Sequence, residues 1–414
     1  MSLENELKQF VLDQGAVSVG FATKDSLAGG PSTTDITYTM SEAETAICFA
    51  VPLDLSKIRP YLGKELPRGR FDHVIDNGDG YLKAYKIAKA IANFLEKKGF
   101  KSALVSPNFN YREDVKDWRS KLPPILALRL VAARSGVGSV GWSGNILVKG
   151  HGARVLLGAA VTSARLEPTN PVPDNESPCD KCKLCVNVCA FRMFDKMEED
   201  SYTLGGHTFT FSKRNNVVRC YTVCGGQSGL DKTGKWSTWS PGRTPYPETF
   251  DDADQTFAHL FTHPLKQMRL EGEQGNYGES TLLNDADVIE YKASGEIVGN
   301  TFTENFILTC GNCQLICSGS HDETAENYNI LTNSGCVVTN ENGDNIITTS
   351  EEADKLEKSG KLLNNEQETN PQRQGLEKYI IDLYIKLGKI REIIPVQKNV
   401  VKEGSSEKGM VQGK

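Results

Sequence analysis

Four cysteines at C-x2-C-x2-C-x3-C spacing, Cys179, Cys182, Cys185 and Cys189, are the residues of this chain best suited to chemistry. Three thiolates this close can wrap three corners of one cubane iron–sulfur cluster, because each two-residue loop turns tightly enough for the sulfurs to converge. The fourth, three residues on, normally ligates a different cluster, so a second run is required. Cys310-Gly311-Asn312-Cys313-Gln314-Leu315-Ile316-Cys317 supplies three more thiolates, and Cys220 can supply the eighth. The expected assignment crosses over. Cys179, Cys182, Cys185 and Cys317 hold one 4Fe-4S cluster; Cys189, Cys220, Cys310 and Cys313 hold the other.

Structural zinc and disulfides are the competing readings. Zinc sites usually show two C-x2-C knuckles rather than three evenly spaced cysteines closed by x3. Disulfide frameworks suit small secreted domains, not a 414-residue chain with tandem C-x2-C runs. Of the eleven cysteines, Cys48 sits in the apolar run 45–51 and reads as a buried small hydrophobe. Cys224 competes with Cys220 for the eighth position, which spacing alone leaves open, and Cys336 is unassigned.

The elements that must position these thiols are legible in outline. Length allows one large domain or two to three ordinary ones. A hydrophobic content of 38% and a charged content of 24% suit a globular protein with a substantial core. A net charge of −6 argues against a nucleic-acid partner. The first residues carry no basic region followed by an apolar core, and no apolar run is long enough to span a bilayer, so a cytoplasmic protein without membrane contact is expected.

Along the chain, residues 3–14 have helical spacing, and 16–21, 45–51, 102–105 and 155–161 read as buried strands. Residues 81–98 form an amphipathic helix that Gly99 is placed to end, and 125–135 is a second apolar helix. Alternating strands and helices with Gly-rich joints predict an α/β layered domain over residues 1–165. Pro168, Pro171, Pro173 and Pro178 mark a linker into a cluster domain over 166–320. An insertion at about 225–306, far beyond ordinary loop length, separates the cluster ligands. It contains Trp236, Trp239 and the pair His259 and His263, which reads as packing or exposed rather than metal-binding. Residues 321–414 form a C-terminal extension: a hairpin with an Asn-Gly turn over 337–347, an amphipathic helix over 376–393, and a polar end from 402 that reads as disordered.

Gly136, Gly138 and Gly141 match the dinucleotide fingerprint literally. That fingerprint needs a strand before it and a helix after it, whereas here a helix precedes and a loop with a strand follows. What remains is permissiveness, since glycines let backbone amides approach a flat or phosphorylated ligand.

Gly136-x-Gly138-x-x-Gly141-Trp142-x-Gly144-Asn145-x-Leu147, then Gly152-x-Arg154 and a strand carrying Gly158, precede Leu166-Glu167-Pro168-Thr169-Asn170-Pro171 and the cysteine run. With Gly205-Gly206-His207, Arg219-Cys220-Tyr221 and residues 310–317, this order resembles the epoxyqueuosine reductases and the catalytic subunits of reductive dehalogenases. Both belong to a superfamily of corrinoid-dependent iron–sulfur reductases. The resemblance implies a nitroreductase-like α/β domain holding a base-off cobalamin, followed by a bacterial-ferredoxin-like domain with two 4Fe-4S clusters. Electrons would pass one at a time from an external low-potential donor, a ferredoxin or flavodoxin, to the corrinoid, which reduces a bound small organic substrate. Gly136, Gly138, Gly141, Asn145 and Arg154 are then the candidate cofactor contacts. Tyr38, Tyr81, Tyr111 and Arg129 are candidate proton donors or charge stabilisers.

Two departures from the family pattern stand out. Epoxyqueuosine reductases carry an aspartate proton donor just before the helix at 125–135, where this chain has Leu122, with Asp114 and Asp117 out of register. Proline usually follows the last cysteine of each run, and here Ala190 and Ser318 stand there. Alongside the reductase, two other readings are an iron–sulfur electron-transfer or activator protein without corrinoid, and tRNA epoxyqueuosine reductase itself. A pure electron carrier has little need of 165 residues ahead of its clusters.

Overall fold

A computed structural model of the protein describes residues 2–105, 111–116, 118–121, 123–214, 220, 223, 229–243 and 309–362. The first part of the chain forms α1 (Leu3–Asp13), β1 (Ser18–Thr23), β2 (Thr45–Pro52), α2 (Leu55–Leu62), α3 (Gly69–Lys97) and β3 (Ser102–Val105). It continues through α4 (Trp118–Lys121), α5 (Leu128–Arg134), β4 (Ser139–Val140), β5 (Ile146–Leu147) and β6 (Val155–Thr162). The cysteine-bearing part adds α6 (Leu184–Asn187), β7 (Phe194–Leu204), β8 (His207–Arg214) and α7 (Asn312–Leu315). Last come α8 (His321–Thr332), β9 (Cys336–Thr339), β10 (Asn345–Thr348) and α9 (Ser350–Lys358).

Two-residue alternation along β2 builds the first core. Ala46, Cys48 and Ala50 face one way and pack with Val131, Ala132 and Ala133 of α5. Ile47, Phe49 and Val51 face the other way and pack with Ala84, Ile87, Ala88, Ile91 and Leu95 of α3 and with Leu7 and Val11 of α1. Burying each of the larger side chains stabilises the fold by about 1.5–3 kcal/mol. The sheet between these helices has the order β1-β2-β6-β3 and is antiparallel throughout. Gly158 of β6 lies under the Phe49 ring, where a Cβ would come within 2.4 Å of it. The architecture is therefore mixed α/β, with helices on both faces of one sheet. The proline-rich segment is pinned to that body: Phe21 N donates to Thr169 Oγ1 and Thr169 N to Phe21 O.

A second core joins the two parts. Leu53, Ile58, Tyr61 and Leu62 on and beside α2 pack with Val188, Ala190 and Phe191 after α6, with Leu315 and Ile316, and with Leu331 and Val337. The start of the insertion belongs here, because Trp236 and Trp239 are 3% and 2% exposed within this core. Trp239 Nε1 donates to Tyr61 O at 2.9 Å, and Val337 N donates to Ser237 Oγ at 2.9 Å. Arg243 reaches α9 and pairs with Asp354 and Glu357. The hairpin expected over 337–347 is β9–β10, with Gly343 at φ 87° in its turn. His259, His263, Cys224, the helix expected over 376–393 and the end from 402 lie outside the described residues. Among the described residues, no helix is long and apolar enough to cross a membrane.

Candidate metal centre

All ten described cysteines are free thiols, and eight of them gather into two groups. Cys185 faces Cys317, Cys179 and Cys182, and Cys317 in turn faces Cys179 and Cys182. Cys189 faces Cys310 and Cys220, and Cys313 faces Cys220, Cys310 and Cys189. The first group thus takes three cysteines from one run and Cys317 from far along the chain, while the second takes Cys310 and Cys313 from one run and adds Cys189 and Cys220 from two other stretches. Cys313 also senses Cys185, so the groups adjoin. Cys48 and Cys336 are buried elsewhere; Cys48 is sealed in β2, where burial pushes its thiol up to about 12.

Local backbone conformation makes the convergence possible. Lys181 and Lys183, between the first cysteines, take left-handed φ values of 58° and 60°, and Gly311 takes 100° between Cys310 and Cys313. These residues reverse the chain within two positions, so consecutive thiols turn to the same side. Asp180 Oδ1 accepts from Cys182 N at 2.9 Å and Ser177 Oγ from Cys179 N at 3.2 Å, and Tyr61 Oη donates to Cys310 O at 2.8 Å. At Cys317 the loop after β5 closes in: Ala153 N donates to Cys317 O at 2.9 Å, and a Cβ on Gly152 would fall 2.3 Å from that oxygen.

The thiols also meet the polar groups that an iron–sulfur site requires. Met193 N donates to Cys189 Sγ at 3.2 Å and Asn145 Nδ2 to Cys313 Sγ at 3.6 Å. Backbone N–H groups of Ser143, Leu184 and Gly319 serve Cys185, Cys182 and Cys317. Burial, then the crowding of neighbouring sulfurs, pushes Cys185 up to about 12 and Cys317 up to about 11, and raises Cys313 as well. Four buried thiols cannot ionise side by side without a cation among them. A metal core supplies that charge and holds all four as thiolates. Two all-sulfur sets with N–H···S donors fit iron–sulfur clusters by donor chemistry. Beside the first group lies a small hollow bounded by Trp142, Leu147 and Pro178. On its rim Asp180, Cys182 and His321 place ligand atoms within 4.8 Å of one another, with His321 Nδ1 2.5 Å from Asp180 Oδ2.

The residues nominated for other roles are scattered. Tyr38 lies at the surface under the Arg112 guanidinium, 3.9 Å from its ring centre. Burial, followed by the Asp114 carboxylate, raises its pKa. Tyr111 pairs with Pro124 in the same region. Tyr81 is half-buried on α3, across the sheet from α5, and packs into the second core. Arg129 is exposed on α5 and faces Arg214. At Gly136, Gly138 and Gly141 the chain itself fills the space of a side chain: Asn170 O, Leu147 O and Leu147 Cδ1 lie 2.1, 2.5 and 2.4 Å from the Cβ positions. Asn145 is turned to Cys313, and buried Arg154 pairs with Glu323 of α8 at 2.6 Å. Each of these five candidate cofactor contacts is engaged within the chain. These five residues therefore form no cradle for a corrinoid.

Arg214 escaped the sequence reading. It ends β8, half of whose residues are exposed. Its Nη2 donates to Ser143 O at 2.7 Å, beside the second thiol group.

No protein-family model matches this chain, and no curated protein matches it. Among solved structures it is similar to an epoxyqueuosine reductase from Streptococcus thermophilus, at 17% identity and a TM-score of 0.32, over 50% of this chain and 56% of that one. It is similar to a reductive dehalogenase at 14% identity and a TM-score of 0.39, over 53% of this chain and only 28% of that one. An epoxyqueuosine reductase from Bacillus subtilis aligns over 93% of this chain and 98% of its own, at 15% identity and a TM-score of 0.37. These solved structures come from the two enzyme groups that the glycine and cysteine motifs resemble.

Proposed function

We propose that this protein is an iron–sulfur reductase that carries electrons through two 4Fe-4S clusters to a substrate-reducing centre. The observation that carries the reading is the crossover. Cys317 joins the group of Cys179, Cys182 and Cys185, while Cys189 joins the group of Cys220, Cys310 and Cys313. Structural zinc has no need of eight thiols in two adjoining sets, and these cysteines form no disulfides among themselves. Adjacent clusters give a short path for single electrons. The first group borders a hollow beside Trp142 and Pro178, where an external low-potential donor reaches it, and the apolar cluster of Trp142, Val186, Met193 and Phe194 packs against cysteines of both groups.

The motif resemblance implies a corrinoid as the substrate-reducing centre, which would supply a strongly reducing metal; the five residues it nominates are engaged within the chain, so its seat would lie outside them. The chain's own part is to hold the clusters, exclude water and present the α/β domain for the substrate. The test is anaerobic reconstitution with iron, sulfide and cobalamin, then turnover with a chemical reductant. A bromo-hydroxybenzoate and an epoxyqueuosine-bearing RNA stem loop, which bind relatives of similar fold, are the first substrates to try. Cobalt retained on the chain together with reduction of either substrate supports a corrinoid reductase. Clusters without cobalt and without turnover overturn it in favour of an electron-transfer protein.

A further inference from the structure

The turn from Gly141 to Asn145 lies between the two thiol groups and touches both. Its backbone closes on itself, with Gly144 N donating to Gly141 O and Gly141 N to Asn145 O, both at 2.8 Å. Ser143 N serves Cys185 of the first group, Asn145 Nδ2 serves Cys313 of the second, and Trp142 packs on cysteines of both. Ser143 O meanwhile anchors the Arg214 guanidinium at 2.7 Å. Gly144, at φ 73°, leaves room for it, since a Cβ there would fall 2.2 Å from Arg214 Nη2.

Arg214 is an uncompensated cation. Its Nε is buried without a hydrogen-bond partner, and the described residues offer it no carboxylate. It lies near the Phe194 and Phe211 rings, 6.0 and 5.6 Å from their centres. Its titratable neighbours are Arg129, Cys313, Cys220 and Tyr202. Burial, then Arg129, lowers it to about 10, so it stays charged at neutral pH. A buried cation beside a cluster stabilises the form that has gained an electron, and a hydrogen bond to a ligating sulfur acts in the same direction. The first group differs in having the Asp180 carboxylate beside Cys182.

We propose that Arg214, supported by the Asn145 amide, raises the reduction potential of the cluster held by Cys189, Cys220, Cys310 and Cys313 and leaves the other cluster's potential unchanged. The inference rests on the two-cluster reading above. Both residues act through the cluster ligands and are positioning residues. They make that cluster the electron-collecting member of the pair.

The experiment is an EPR-monitored redox titration of the reconstituted full chain, with iron counted in the same samples. Arg214→Gln keeps a donor for Ser143 O and removes the charge. Its expected effect is an about tenfold lower ratio of reduced to oxidised cluster at the wild-type midpoint, about 59 mV for one electron, in one of two midpoints only. Arg214→Lys restores most of it, and a merely structural role would not give that rescue. Should Arg214→Gln lose iron, Asn145→Leu decides, with one midpoint falling by a smaller amount. Unchanged midpoints, or both moving together, overturn the proposal. A wild-type chain with fewer than about eight iron atoms overturns the two-cluster reading and this inference with it, and the iron count tells that failure from the other.

Discussion

Two glycines of one tight turn give a matched test of how the fourth ligand of the first group is seated. Gly150 and Gly152 both hold left-handed backbone, with φ of 80° and 59°, in the loop closed by Val148 N to Gly152 O at 2.9 Å. Alanine at either position pays the left-handed penalty of about 1–2 kcal/mol. A Cβ on Gly150 meets nothing within 4 Å, whereas one on Gly152 falls 2.2 Å from Ser318 C and 2.3 Å from Cys317 O. Those are backbone atoms that cannot rotate away, which adds about 1–3 kcal/mol of overpacking. Gly150→Ala should therefore cost about 1–2 kcal/mol and keep full iron, while Gly152→Ala costs about 2–5 kcal/mol and displaces Cys317. Denaturant unfolding and iron per reconstituted chain measure both effects. Equal costs with full iron in both variants would refute the view that this loop seats Cys317.

The ligand crossover predicts that Cys189→Ala spoils the same EPR signal as Cys310→Ala, and Cys317→Ala the same one as Cys179→Ala; pairing within each run instead contradicts it. Arg154 is 4% exposed and Glu323 keeps 38% of its side-chain surface. Glu323→Ala strands a buried cation and should cost about 2–3 kcal/mol, more than Arg154→Met, whose leftover carboxylate can hydrate; thermal melts giving the reverse order would count against the pairing. His73 is fully buried with neither ring nitrogen partnered, and burial, then Lys57, lowers its pKa to about 4 from 6.5. The unfolded chain takes a proton that the fold refuses, so stability falls as pH drops from about 6.5 toward 4 and is unaffected above. His73→Phe should regain about 2 kcal/mol relative to wild type between pH 7.5 and pH 5, measured by urea unfolding; a pH-independent difference refutes the assignment.

What the sequence revealed depended on how local the signal was. Apolar alternation placed β2 and β6 within a residue or so, and the cysteine spacing picked out the two thiol sets. The long helix begins at Gly69 rather than near Tyr81, because buried Arg70, His73 and Asn77 face the junction between cores and break the amphipathic pattern. Helix α2 was missed behind Pro60, although Asp54 Oδ1 accepting from Ser56 N was a readable cap. The β7–β8 hairpin was missed because most of β7 is exposed, leaving the Gly205-Gly206 turn as its only mark. Asn145 and Arg154 stood out by motif, but the partners that occupy them, Cys313 and Glu323, lie more than a hundred residues away in sequence. Such pairings leave no periodic trace.

The central claim is that eight thiols hold two clusters, and iron stoichiometry with low-temperature EPR of the anaerobically reconstituted chain tests it most directly. The account predicts about eight iron and eight sulfide per chain and two interacting signals on full reduction. About four iron with a single signal, or zinc bound in place of iron, would contradict it.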